Sequence, residues 1–171
     1  MPIDFESNLK DLKNYQQHVL LAPDRWRRFA PAAPLHWSNV KFEAGNRGAV
    51  PENRGIYAFV VQFQDHGQLP IPLPPHGYVM YAGVTGEVAA GRTLRDRYGD
   101  YLREQRRSKR RSIWLMLNKW KEDIYFHYAP VDAAFDLGAA EEALNDAMIP
   151  PYVTQDFSAE VRELVRALKA N

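Results

Sequence analysis

The sequence predicts an α+β domain: a small three-stranded antiparallel or mixed sheet flanked by helices, with a helical extension at its N-terminus. Three observations carry that expectation. Two apolar runs, RGIYAFVV at 54–61 and YVMYAGVT at 78–85, are rich in β-branched and aromatic residues, as strands are. Four later segments repeat apolar residues at helical spacing. The resulting order, β-β-α-α-β-α-α, implies helices packed against an antiparallel or mixed sheet.

Taken in order, residues 5–21 place Leu9, Leu12, Tyr15, Val19 and Leu20 on one helical face, and Pro23 is expected to end that helix. The following PDRWRRFAPAAPLHW is rich in proline and reads as irregular, with Trp26 and Phe29 among three arginines. Core packing of the two aromatics competes there with stacking against a ligand. Residues 45–53 read as loop from their Gly, Asn and Pro content. Strands are expected at 55–63 and 78–83. The connection DHGQLPIPLPPHG between them carries four prolines, which forbid a regular ladder. It reads as an inserted surface loop of polyproline character at 65–77, open to a DNA contact, a homodimer interface or simple connection. Helices follow at 93–105 and through SIWLMLNKW to Trp120, a third strand at 124–129, and helices at 138–149 and 158–169.

Composition narrows the class. At 171 residues, 46% hydrophobic and 25% charged, the chain is that of a globule large enough to bury its own core. No apolar run approaches the roughly 20 residues that span a bilayer. The opening residues lack a signal-peptide apolar region, so a cytoplasmic location is expected. With no cysteine, neither a disulfide nor a thiolate metal site can form. Charge is segregated. Residues 92–121 hold eleven Lys and Arg against three Asp and Glu, whereas 122–171 hold three against ten. A basic middle third points to a polyanion such as nucleic acid; mutual neutralisation of the two halves is the plainer alternative.

Two charges fall on the wrong face. In TLRDRYGDYLREQ, Leu94, Tyr98, Tyr101 and Leu102 make one stripe, and Arg97 projects from it, while Arg92 and Arg95 are expected on the solvated side. In LGAAEEALNDAM, Leu137, Leu144 and Met148 make the stripe, and Glu141 falls inside it while Glu142 points out. A guanidinium or a carboxylate on a packing face needs a partner. The two could pair with each other, or they could flank a phosphate with the carboxylate holding a cation. Spacing leaves both open.

These residues also carry a resemblance. Gly55-Ile56-Tyr57 and Tyr81-Ala82-Gly83 resemble the two signature tripeptides of the GIY-YIG nucleases, with Ala82 in place of the usual Ile or Val. LRDRYGDY resembles the motif helix of that family, where an arginine is followed four residues later by His or Tyr; this selects Arg97 and Tyr101. E-x-x-L-x-x-x-M-x-P-x-Y, from Glu141 to Tyr152, resembles the element with the metal-binding glutamate. The resemblance spans 54–152, leaving 1–53 as a helical and irregular extension and 153–171 as a C-terminal helix on the core. The intervals between motifs are longer than in the compact repair and homing enzymes and look more like the restriction-type branch.

The resemblance implies a DNA endonuclease, in a restriction, phage-defence or repair role, that hydrolyses phosphodiesters with Mg²⁺ or Mn²⁺. It implies that Tyr57 binds or deprotonates the attacking water and that Tyr81 shares the task or positions the phosphate. Arg97 would stabilise developing negative charge with help from Tyr101, and Glu141 would hold the cation. A free phenol, with pKa about 10, is a poor base at neutral pH, so that role needs Arg97 and the metal nearby. The glycines are expected to let DNA and backbone approach closely. The basic tract QRRSKRR, with Arg106, Arg107, Lys109, Arg110 and Arg111, together with Arg92 and Arg95, is expected to grip DNA phosphates without sequence preference. The alternative is a nucleic-acid-binding or adaptor domain of this fold without catalysis.

Overall fold

The computed structural model describes residues 19–29, 34–63, 76–87 and 91–169. Its elements are α1 (Pro23–Arg28), β1 (Ser38–Lys41), a 3₁₀ turn (Ala44–Ala49), β2 (Gly55–Phe63), β3 (His76–Thr85), α2 (Leu94–Arg107), α3 (Arg111–Lys119), β4 (Ile124–Pro130), α4 (Leu137–Met148) and α5 (Ala159–Lys169). The strands form one antiparallel sheet in the order β1-β4-β2-β3. No helix among the described residues is long and apolar enough to cross a membrane.

The sheet therefore has four strands where the sequence predicts three. The additional one, β1, reads SNVK and offers a single apolar residue, Val40, so alternation cannot reveal it. It pairs with β4 alone, Ser38 opposite Tyr128 through Lys41 opposite Tyr125. Phe42 and Val50, which follow it, are buried in the same cluster as β2, so the core takes in residues placed in the expected extension. A second difference is α1. Pro23 starts a helix instead of ending one, because a proline in the first turn has no intrahelical N–H bond to lose. Of the helix expected at 5–21, residues 1–18 lie outside the described residues and Val19–Leu21 are not helical. Most of the proline-rich connection, 64–75, also lies outside them.

Strand β2 runs down the middle of the sheet and is buried on both faces. Tyr57, Phe59 and Val61 enter one cluster with Phe42, Leu94, Tyr98, Tyr101, Met116 and Phe126, covered by α2 and α3. Ile56, Ala58 and Val60 enter a second with Ala82, Leu137, Ala140 and Leu144, covered by α4. Each large apolar side chain so buried contributes about 1.5–3 kcal/mol. A third cluster, Val153, Phe157, Val161 and Val165, seats α5. A bulge interrupts β2 and β3: Tyr81 opposes Phe59 and Val79 opposes Val60, so Met80 is the extra residue. In consequence Met80 and Tyr81 both turn toward the first cluster, while Val79 packs on the second.

Both helices that carry the out-of-place charges are firmly started. Thr93 and Asp96 form a capping box at α2, each side chain taking the other's backbone N–H. Asp136 caps α4 by accepting from the Ala139 N–H at 3.0 Å. The last turn of α4 closes on Ile149 in the left-handed region (φ 45°), ahead of Pro150, and this turn delivers the Tyr152 N–H to the Met80 carbonyl at 3.1 Å.

Candidate active site

Tyr57 and Gly83 are register partners across β2 and β3. Directly opposed residues present their side chains on the same face, so the Tyr57 phenol lies where a side chain at 83 would stand. A β-carbon there would be 2.6 Å from Tyr57 Oη and 3.4 Å from Glu141 Oε1, so the hydroxyl and the carboxylate flank one point. Glu141 reaches that point from the other layer. The rest of its helix packs on the second cluster, but Glu141 comes to the edge of β3 and accepts a hydrogen bond from the backbone of Val84.

The third side of the site is α2. Arg97 and Tyr101 are one turn apart and share a helix face. Arg97 Nε donates to Tyr57 Oη at 3.1 Å, and the Tyr57 and Tyr101 hydroxyls are 2.9 Å apart. Tyr81 joins them, its ring centre 6.4 Å from that of Tyr57 and 6.0 Å from that of Tyr101. Phe126 stacks under Tyr57 at 5.4 Å and fixes its plane. The five residues singled out in the sequence thus meet around Gly83.

The two charges that periodicity marked do not pair with each other. Among the described residues Glu141 makes no ion pair, and Arg97 has only Asp100, at 3.9 Å. Asp100 is already shared by Arg92 and Arg103, which both donate to it. Arg97 therefore keeps most of its fork of donors free on a half-buried side chain.

Burial dominates the proton equilibria. It raises the phenol pKa of Tyr57, with Tyr81 adding to the rise and Arg97 and Tyr101 opposing it. Burial raises Tyr101 and Tyr81 as well. All three rest as neutral phenols. Glu141 is pushed up from 4.5 to about 7, first by burial and then by the neighbouring charges of Asp156 and Glu87. A half-buried carboxylate near two others, with Arg97 only weakly opposing the rise and no ion pair among the described residues, suits one hydrated divalent ion held through oxygen. The described residues contain no group of three metal-ligating side chains, so the fit is to a single carboxylate and not to an all-protein cage.

Other expectations are relocated. The signature glycines admit the protein's own groups: a side chain at 83 would meet Tyr57, and one at 55 would meet the Ala129 carbonyl and Leu94. Arg95 is turned onto the loop before β2, with Nε on Val50 O at 2.7 Å, Nη2 on Gly48 O at 3.2 Å and Nη1 on Glu52 at 2.5 Å, which makes it an anchor of that loop. Arg106, Arg107, Lys109, Arg110 and Arg111 are exposed and make no ion pair among the described residues. Trp26 is 39% exposed and lines an apolar groove with Leu20, Leu21, Tyr78 and Met148, apart from the tyrosines. The sharing of Asp100 among three arginines escaped the sequence reading, although its place three residues after Arg97 is the helical signal for such a contact.

Gly83→Ala is expected to destabilise the fold by about 1–3 kcal/mol, because the buried Tyr57 ring has nowhere to move. Gly45→Ala, where a β-carbon meets nothing within 4 Å, is expected to stay within about 0.5 kcal/mol of the parent. Urea unfolding of the two variants checks the contrast.

Compared with known proteins, the chain matches no family model, no curated protein and no solved structure.

Proposed function

We propose that the protein is a divalent-cation-dependent endonuclease that hydrolyses phosphodiester bonds in DNA. The observation that carries this reading is the meeting of Tyr57, Tyr101, Arg97 and Glu141 at Gly83, with Arg97 bonded to the Tyr57 hydroxyl and Glu141 in no ion pair among the described residues. The resemblance of these same residues to the GIY-YIG nucleases supports it, as does the basic tract beside them.

The chemistry needs a water aimed at phosphorus, compensation for the extra charge of the pentacoordinate phosphorane, and relief of charge on the leaving oxygen. Glu141 would hold the divalent cation, which when bound would supply positive charge beside the phosphate and lower the pKa of a nearby water. Arg97, held by its Nε, offers its remaining N–H groups to the non-bridging oxygens, where charge grows in the transition state. Tyr57 orients the attacking water. Because burial holds it as a phenol, it becomes a base only when positive charge beside it favours the phenolate. Once the Tyr57 phenol has released its own proton to solvent, the water oxygen bonds to phosphorus as the water's proton passes to the phenolate; the P–O bond to the leaving oxygen breaks, and that oxygen takes a proton from solvent.

A second reading has its own observation. Tyr57 and Tyr101 are fully buried, as structural tyrosines are, which suits a nucleic-acid-binding domain without catalysis. One experiment separates the two: incubation with single-stranded, double-stranded and branched DNA, with and without Mg²⁺, and mapping of any new ends. The endonuclease reading expects Mg²⁺-dependent cuts that fall about 10- to 100-fold in Tyr57→Phe. Binding of DNA without cleavage under every condition decides for the second reading.

A further inference from the structure

The basic stretch between α2 and α3 is not uniform. After Arg107 the chain turns on Ser108, left-handed at φ 51°, whose N–H bonds to Glu104 O at 3.1 Å. The Arg110 backbone N–H is then fixed on Glu104 Oε1 at 2.5 Å. Glu104 is itself buried, so two bonds to one well-held residue set the direction of Arg110. Its side chain turns back over α2, and the guanidinium carbon stands 5.0 Å from the centre of the Tyr101 ring. The guanidinium carbon of Arg97 stands 5.9 Å from that same centre. No other cation of the tract has a ring contact with the tyrosines among the described residues; Arg106 folds onto Leu102 O at 3.4 Å.

We propose that Arg110 is a second phosphate-binding guanidinium of the reaction centre, acting on the diester together with the half-buried Arg97. This rests on the endonuclease reading and sharpens it, by taking Arg110 out of the diffuse basic tract and placing it in the chemistry. The two guanidinium groups share the Tyr101 ring, and that of Arg110 has no carboxylate partner among the described residues. A phosphate reached by both gains from each charge, and a phosphorane carrying two negative charges gains more than a ground-state diester carrying one. The guanidinium hydrogen-bonds the Tyr101 hydroxyl, and its planar set of five N–H donors leaves others for phosphate oxygens, a use for which a lysine ammonium is a poor substitute.

The test compares Arg110→Ala and Arg110→Gln with the parent; glutamine keeps a stem over Tyr101 and so guards against a packing defect. Arg166→Ala, an exposed arginine on α5, is the charge control. Two quantities are read: kcat on a DNA duplex with Mg²⁺, and affinity for a dinucleoside monophosphate with Ca²⁺ in place of Mg²⁺. A single diester can fill the reaction centre but cannot span to the outer basic tract. The expected result is a fall in kcat of about 100-fold and a loss of dinucleotide affinity of at least about tenfold in both Arg110 variants, with the control unchanged. A parent that cleaves, alongside Arg110 variants that match it in both quantities, overturns the inference and leaves the endonuclease reading standing. A parent that neither cleaves nor binds the dinucleotide overturns the endonuclease reading, and this inference with it.

Discussion

Glu141→Gln is expected to lose Mg²⁺-dependent cleavage by about 10²–10³-fold, the several kcal/mol that a positioned cation supplies, and at the same time to be more stable than the parent above neutral pH. The stability gain follows from the direction of the Glu141 shift. Burial, Asp156 and Glu87 raise its carboxyl from 4.5 to about 7, so the folded state favours the protonated form. In the absence of metal the cost is therefore missing below pH 4.5, grows as the pH climbs, and is fully present once the group has ionised above about 7. Glutamine resembles the protonated acid and carries none of that cost. Allowing for screening by solvent at a half-buried group, the Glu141→Gln change is worth about 1–2 kcal/mol at about pH 8 and nothing at about pH 4. Urea unfolding at the two pH values, in a chelator, measures it. A variant less stable than the parent at the higher pH would show that Glu141 is held in the fold by a partner. The same linkage sets the metal dependence: the carboxyl must give up its proton to bind the ion, so at sub-saturating Mg²⁺ activity is expected to fall about tenfold for each pH unit below about 7.

Arg97→Ala is expected to lower kcat by about 10²–10³-fold with little change in affinity for a DNA duplex, which the basic tract also grips, because the charge its donors meet grows in the transition state. Arg97→Lys is expected to recover less than about tenfold of that loss: an ammonium cannot hold Tyr57 through Nε and still present a flat pair of donors to phosphate. Neither change should cost more than about 1.5 kcal/mol of stability, since Tyr57 Oη keeps Tyr101 as a partner. Single-turnover cleavage together with urea unfolding separates the two effects. A drop in stability that accounts for the lost activity would make Arg97 a structural residue.

Much of this site was legible in the sequence for a simple reason: Arg97 and Glu141 lie on helix faces that are otherwise apolar, and a helix repeats strictly enough for a misplaced charge to stand out. Strands β2 and β3 were legible as apolar runs, and β4 from its alternation. β1 was not, because four residues with one apolar side chain give no pattern and its pairing is purely long-range. The direction of Arg110 was equally hidden. It depends on the left-handed turn at Ser108 and the grip of Glu104, neither of which leaves a periodic trace. The depth of Tyr57 and Tyr101 was hidden as well: a tyrosine at a strand end reads as half-buried, and only the packing of α2 over a twice-covered central strand closes the phenols off.

Among the described residues strand β3 ends the sheet, and such a margin invites another chain to continue the ladder. Here two outward-facing backbone groups are already occupied: the Val84 position by the Glu141 carboxylate, and the Met80 carbonyl by the Tyr152 N–H. The Glu141 carboxylate thus also blunts the sheet margin, and Glu141→Ala is expected to bare a backbone group there to a neighbouring chain.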